Sequence, residues 1–100
     1  DVLIVVANWP ASRQHVWKTL LAARAMENEC YVCGVNRSGV DTQGTDYGTG
    51  SSFIIDYKGK IMMRRGDSPI IASPLSPQDL NTFRQKFPAW KDADDFTLSI

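Results

Sequence analysis

The chain has 100 residues, which suits one domain or part of one and allows a modest core. Hydrophobic residues make up 43% and charged residues 22%, as in an ordinary globular chain. Eleven basic residues balance eleven acidic ones, which argues against nucleic acid or an anionic membrane as a partner.

Val2 to Ala7 is apolar at every position. That pattern predicts a strand covered on both faces, as in a parallel sheet, and is far too short to cross a bilayer. The chain opens at Asp1 without an initiator Met and reaches this strand at once, so we read it as a segment of a longer protein. No signal peptide is visible. Pro10 stops the strand, and Ser12 is placed to cap a helix. From Arg13 to Asn28 the period is helical, with Trp17, Leu20, Leu21, Arg24 and Ala25 on one stripe. Arg24 and Glu27 are spaced for an ion pair on that helix. Cys30 to Asn36 predicts a second strand that is again apolar on both faces. Strand, helix and strand in this order form a βαβ unit with parallel strands and a right-handed crossover.

Cys30 and Cys33 have the spacing of a redox or zinc pair, but they fall in a strand rather than at a helix N-terminus. Zinc would need further ligands, and His15 is the only histidine. We therefore expect two buried, reduced thiols, no metal site and a cytoplasmic protein.

Residues 37 to 52 are rich in Gly, Ser, Thr and Asp and predict a loop. It is not a phosphate loop, because no Gly-Lys-Ser/Thr follows and the next element is a strand. Ser51 to Tyr57 and Lys60 to Arg65 predict a hairpin turning at Lys58-Gly59, and Ile70 to Ser73 a further short strand. Ser76-Pro77-Gln78-Asp79 is a helix start, with Leu80, Phe83 and Phe87 as its apolar stripe and Pro88 as its stop. The tail from Trp90 to Ile100 is acidic in its middle and apolar at its end, a pattern suited to docking on another surface.

Parallel strands of one sheet end at the same edge, and ligands of α/β proteins bind there. The two strands end at Asn8-Trp9-Pro10 and Asn36-Arg37-Ser38. Asn8, Trp9, Arg13, Asn36 and Arg37 should therefore share one rim. Of these, Asn8, Trp9 and Arg13 are our substrate-binding candidates. Asn8 can instead satisfy backbone groups in a turn, and Trp9 can instead cap the core. A cation at Arg13, in the first helical turn, opposes the helix dipole, so an anionic ligand would give it a reason to be there. Ser12 and His15 lie within one helical turn without an elbow or oxyanion nest, so they make no nucleophilic triad. Composition and pattern alone stop at a rim site of unknown reaction.

The run Ala7-Asn8-Trp9-Pro10 is followed by His15, Trp17, Arg24-Ala25, Glu27-Asn28 and Val35-Asn36-Arg37, with Gly39 and Asp41 after them. Tyr47-Gly48 followed by Ser51 or Ser52, then Ile55-Asp56, Gly59, Phe87-Pro88 and Asp95-Phe96 continue the pattern. Together these resemble the carbon–nitrogen hydrolase family, or nitrilase superfamily, and most of all its bacterial ω-amidase branch. The resemblance implies an α/β fold, a four-layer α-β-β-α sandwich. It also implies a Cys-Glu-Lys catalytic triad without a cofactor. A thiolate attacks an amide carbonyl, ammonia leaves, and water hydrolyses the thioester. In such enzymes all three catalytic residues precede the strand ending in Asn-Trp-Pro, and Cys30 and Cys33 match no nucleophile motif. The chain then corresponds to the C-terminal segment of one hydrolase domain, holds no catalytic residue, and should be inactive by itself.

The implied substrate is a small-molecule amide, the ω-amide of a small dicarboxylic or 2-oxo acid. A nitrile or carbamoyl substrate on the same fold is the alternative, as is a truncated interaction module without catalysis. The implied partners are a second copy, through the helix from Arg13 to Asn28, or a companion N-terminal part. Neither nucleic acid nor membrane is implied.

Overall fold

The computed structural model describes all of residues 1–100. Four strands form one sheet in the order β1-β2-β3-β4: β1 (Val2–Ala7), β2 (Tyr31–Asn36), β3 (Phe53–Ile55) and β4 (Ile61–Arg64). Helix α1 (Gln14–Asn28) joins β1 to β2, and α2 (Pro77–Lys86) follows the sheet.

β1 and β2 are adjacent and parallel, in a register running from Val2 opposite Tyr31 to Ala7 opposite Asn36. β3 runs antiparallel to β2, and β4 antiparallel to β3 with an irregularity between Ile54 and Ile55. Asp56 makes the hairpin turn: one carboxylate oxygen accepts from the Lys58 and Lys60 N–H groups, each at 2.9 Å. Gly59 takes φ +81°, a conformation in which any Cβ would also collide with Met26.

Residues paired in register share a sheet face. Leu3, Val32 and Ile55 form one row on the α1 side, and Val5, Gly34 and Phe53 the next. Onto these rows α1 lays Trp17, Leu21 and Ala25, all buried, and Cys30 joins the same core. Gly34 permits the close approach, because a Cβ there would stand 2.4 Å from Leu21 Cδ1 and 3.2 Å from the Trp17 ring.

The other face carries Ile4, Cys33 and Ile54 in one row and Val6 beside Val35 in the next. Near Tyr31 it is covered: Tyr31, Tyr57 and Phe83 pack in series, with ring centroids 5.4 and 4.7 Å apart, and Leu80 is fully buried. Ser76 caps α2 as expected, its Oγ accepting from the Asp79 N–H at 3.1 Å. Towards the strand ends this face is open, with Ile4 64% and Val6 75% exposed.

Several expectations need correcting. β1 is not covered on both faces within these residues; its outer face and outer edge are bare. Ser12 does not cap α1, because a 3-10 turn over Ala11–Arg13 precedes the helix and places Arg13 at its N-cap without a side-chain bond. Ile70 to Ser73 form no strand; Pro69 and Pro74 flank them and limit ladder pairing. Phe87 lies 62% exposed just beyond α2 instead of completing its buried stripe. Cys30 is buried, whereas Cys33 on the opposite face is half-buried, and partial burial raises its thiol pKa. Both thiols are free. Arg24 and Glu27 do form an ion pair. The tail from Ala93 to Ile100 is exposed and lacks regular structure.

Candidate functional site

The site is built where β1 and β2 end side by side. The parallel ladder continues one step past the strands, with the Arg37 N–H donating to the Ala7 carbonyl at 2.9 Å. Asn36 then clasps the neighbouring turn. Its Oδ1 accepts from the Trp9 N–H at 2.7 Å, and its Nδ2 donates to the Trp9 carbonyl at 2.9 Å. The side-chain amide thus pairs with both backbone groups of one residue, as another peptide unit would. Nδ2 also donates to Ser51 Oγ at 2.9 Å, and the Asn36 N–H donates to Ser52 Oγ at 2.9 Å. Asn36 is buried, so these bonds replace water at a polar group that would otherwise be costly to bury.

Trp9 is held from three sides. Its indole N–H donates to the Arg13 carbonyl at 2.7 Å. Its ring stacks on Trp17 with centroids 5.6 Å apart, and the Arg13 guanidinium carbon lies 5.1 Å from its centroid. Trp17 is fixed in turn by donating from Nε1 to the Ser51 carbonyl at 2.6 Å. A guanidinium lying over an aromatic ring spends its face on the contact and keeps its in-plane N–H donors for a ligand. Arg13 is exposed, as is Asn8.

The loop after Arg37 folds against this lip. Ala11 N–H donates to the Asp46 carbonyl at 2.9 Å, and Val40 bridges to Asp46. Asp41 is the hub of the loop. Its Oδ1 accepts from the Thr45 and Gln43 N–H groups, and its Oδ2 from the Tyr47 hydroxyl, all at 2.9 Å. The Thr45 N–H and then the Tyr47 hydroxyl hold the Asp41 carboxyl below its usual range, and the same bond to Asp41, with burial, pushes the Tyr47 phenol up. The Arg37 guanidinium carbon stands 4.9 Å from the Tyr47 centroid.

The structure thus brings Asn8, Trp9, Arg13, Asn36 and Arg37 to one rim. The roles of Asn36, Ser51 and Ser52 as its fastening were not read from the sequence. The available signal was an Asn ending an otherwise apolar strand, where a buried amide needs partners. The arrangement offers an aromatic wall and exposed guanidinium groups, which suit an anionic small molecule. No group of three or more His, Cys, Asp or Glu side chains is placed to hold a metal ion. A cavity of about 820 Å³ lies elsewhere, between the end of α1 and α2, where Asn28, Asn81, Arg84 and Trp90 line it. We place the site at the rim, because that is where the parallel strands end and where the side chains are braced.

Comparison with known proteins identifies the family. The carbon-nitrogen hydrolase family pattern matches residues 1–85. The chain is 45% identical over 100 residues to omega-amidase YafV of Yersinia enterocolitica, covering 98% of this chain and 39% of that protein. It is 33% identical over 93 residues to 2-oxoglutaramate amidase of Bacillus subtilis, covering 92% of this chain and 35% of that one. Among solved structures, a CN-hydrolase superfamily protein of Xanthomonas campestris superposes with a TM-score of 0.87 at 42% identity. That match covers 99% of this chain and 37% of the other. The chain therefore spans about two-fifths of the length of the relatives it matches. It belongs to the carbon–nitrogen hydrolase family, and its sheet and helices are part of that family's α-β-β-α sandwich.

Proposed function

We propose that this chain is the C-terminal segment of a hydrolase domain that cleaves the ω-amide of a small dicarboxylic acid, with a 2-oxo acid amide as the best fit. The observation that carries the reading is the Arg13 guanidinium laid on Trp9 at the end of the parallel pair. An ω-amide of a dicarboxylic acid keeps a free carboxylate at its far end. A planar guanidinium grips it with two parallel hydrogen bonds, which an ammonium cannot reproduce. The names of the relatives support the same substrate class.

In this reading the thiolate, the general base and the oxyanion-stabilising lysine come from outside these residues. The thiolate adds to the amide carbonyl, the C–N bond breaks and ammonia leaves, and water releases the acid from the thioester. The rim supplies position: Arg13 anchors the carboxylate, Trp9 forms a wall that excludes water, and Asn36 keeps both in place. Asn8, exposed next to Trp9, lines the same lip. The open face around Ile4 and Val6 fits the second sheet of the sandwich, contributed by the rest of the protein. We place the enzyme in the cytoplasm, where free thiols such as Cys30 and Cys33 persist, and assign it a homodimer built through α1.

The test is ammonia release by the complete enzyme from a panel of ω-amides, nitriles and N-carbamoyl amines. The ω-amides should be the substrates. Arg13→Lys should lower kcat/KM on them at least about tenfold, or about 1.4 kcal/mol of transition-state binding. Unchanged kinetics would remove Arg13 from the site, and activity confined to nitriles or carbamoyl amines would replace the substrate class.

A further inference from the structure

We infer that Arg37 is a specificity-determining residue of the same lip, reading the 2-oxo group of the substrate and rejecting amides that carry an ammonium at that carbon. This rests on the function proposed above and adds a second anchor to it.

Arg37 stands one residue past the last register pair, with its N–H on the Ala7 carbonyl, so it lies across from Asn8 at the end of β1. Its guanidinium rests over the Tyr47 ring. That ring does not drift: Tyr47 is buried, its hydroxyl is bonded to Asp41, and its N–H donates to the Gly39 carbonyl at 2.8 Å. The loop itself is tied to the lip through Ala11 and Asp46. Tyr47 is thus a fixed shelf that sets the direction of Arg37.

The chain's ion pairs are Arg24 with Glu27 and Arg84 with Asp1, and Arg37 is in neither. The two nearby acids are turned to the loop's own groups. Asp41 accepts from two backbone N–H groups and the Tyr47 hydroxyl, and Asp46 from the Gly48 N–H at 2.8 Å. Arg37 is exposed, as Arg13 is. After the Thr45 and Tyr47 hydrogen bonds, the Arg37 charge also helps hold the Asp41 carboxyl below its usual range, but no direct ion pair ties up its N–H donors. The lip thus presents two guanidinium groups in the same manner, each on an aromatic face and each outside an ion pair.

One carboxylate needs one such fork. A 2-oxo acid offers a second acceptor, the carbonyl oxygen on the adjacent carbon, and a second guanidinium matches it. With no oxygen there, the donor faces a methylene and stays unpaired. With an ammonium there, two cations face each other at close range. The order of preference is therefore 2-oxo, then unsubstituted, then 2-amino.

The experiment uses the complete enzyme and three amides of one skeleton: 2-oxoglutaramate, glutaramate and glutamine. Arg37→Gln should lower kcat/KM for 2-oxoglutaramate about tenfold or more while leaving glutaramate within about twofold, and should raise glutamine relative to both. Tyr47→Leu, which removes the shelf, should move the same ratio in the same direction. Arg13→Lys should lower 2-oxoglutaramate and glutaramate together. Glutaramate turnover serves as the internal control for folding, since a merely structural role would not change the ratio between substrates. Equal loss on both amides, or no change on either, overturns the role of Arg37. If the unmodified enzyme releases ammonia from neither, the amidase reading itself falls, and this inference falls with it.

Discussion

Asn36 shows how one side chain can carry a site without touching a ligand. Its amide donates to the Trp9 carbonyl and Ser51 Oγ and accepts from the Trp9 N–H. Aspartate has nearly the same shape but only accepts. In Asn36→Asp the Trp9 N–H keeps its partner, but a carboxylate oxygen comes to face the Trp9 carbonyl and both donations are lost. The variant should lose about 2 kcal/mol or more of stability, read from the urea midpoint of the complete protein. Intrinsic tryptophan fluorescence should change as well, because the Trp9–Trp17 stack is released. A midpoint equal to that of the unmodified protein would show that the clasp is dispensable. Asn36 was placed on the rim by its position at a strand end. Its role was hidden because hydrogen-bond partners such as Ser51, separated from it by a Gly-rich loop, leave no periodic trace in a sequence.

At the level of elements, the contact between α1 and β2 depends on the absence of a side chain at Gly34. In Gly34→Ala the new methyl meets both Leu21 and Trp17. Both are buried, so neither yields without disturbing the core. The expected cost is about 1–3 kcal/mol, measured by thermal or urea unfolding of the complete protein. In the double variant with Leu21→Val the loss should be smaller than the sum of the two single losses. Additive losses would place the strain elsewhere. The elements themselves were largely legible. Six apolar residues, a helical period and a second apolar run announced the parallel pair, and Ser76-Pro77 announced α2 to the residue. What escaped was decided by neighbours. Pro10 leads into a 3-10 turn that pre-empts the Ser12 cap. Ile70 and Ile71 have strand composition but no ladder beside them, and β-propensity without a partner makes no strand.

For the whole molecule, the sheet has two unlike edges. β4 is short and charged at its end, with Lys60 before it and Arg64 closing it, which discourages pairing. β1 carries no charge between Val2 and Ala7, and its open face shows Ile4 and Val6 beside Val35. The apolar run marked β1 as a strand, but the expected cover on both faces is not met within these residues. An apolar run records that a face avoids water and carries no sign of what covers it. Prepared alone, the 100-residue chain should release no ammonia and should self-associate, seen as a scattering mass above that of a monomer. Adding the remainder of the protein should reduce that association. A monodisperse monomer would mean that the bare face is tolerated by water. The same strand has a bearing on the life of the protein in a cell. Val-Leu-Ile-Val-Val-Ala is uncharged, rich in β-branched residues and free of proline, the composition that seeds cross-β fibres. Left bare, such a strand is an aggregation template, so whatever covers Ile4 and Val6 would also keep the protein from forming fibres.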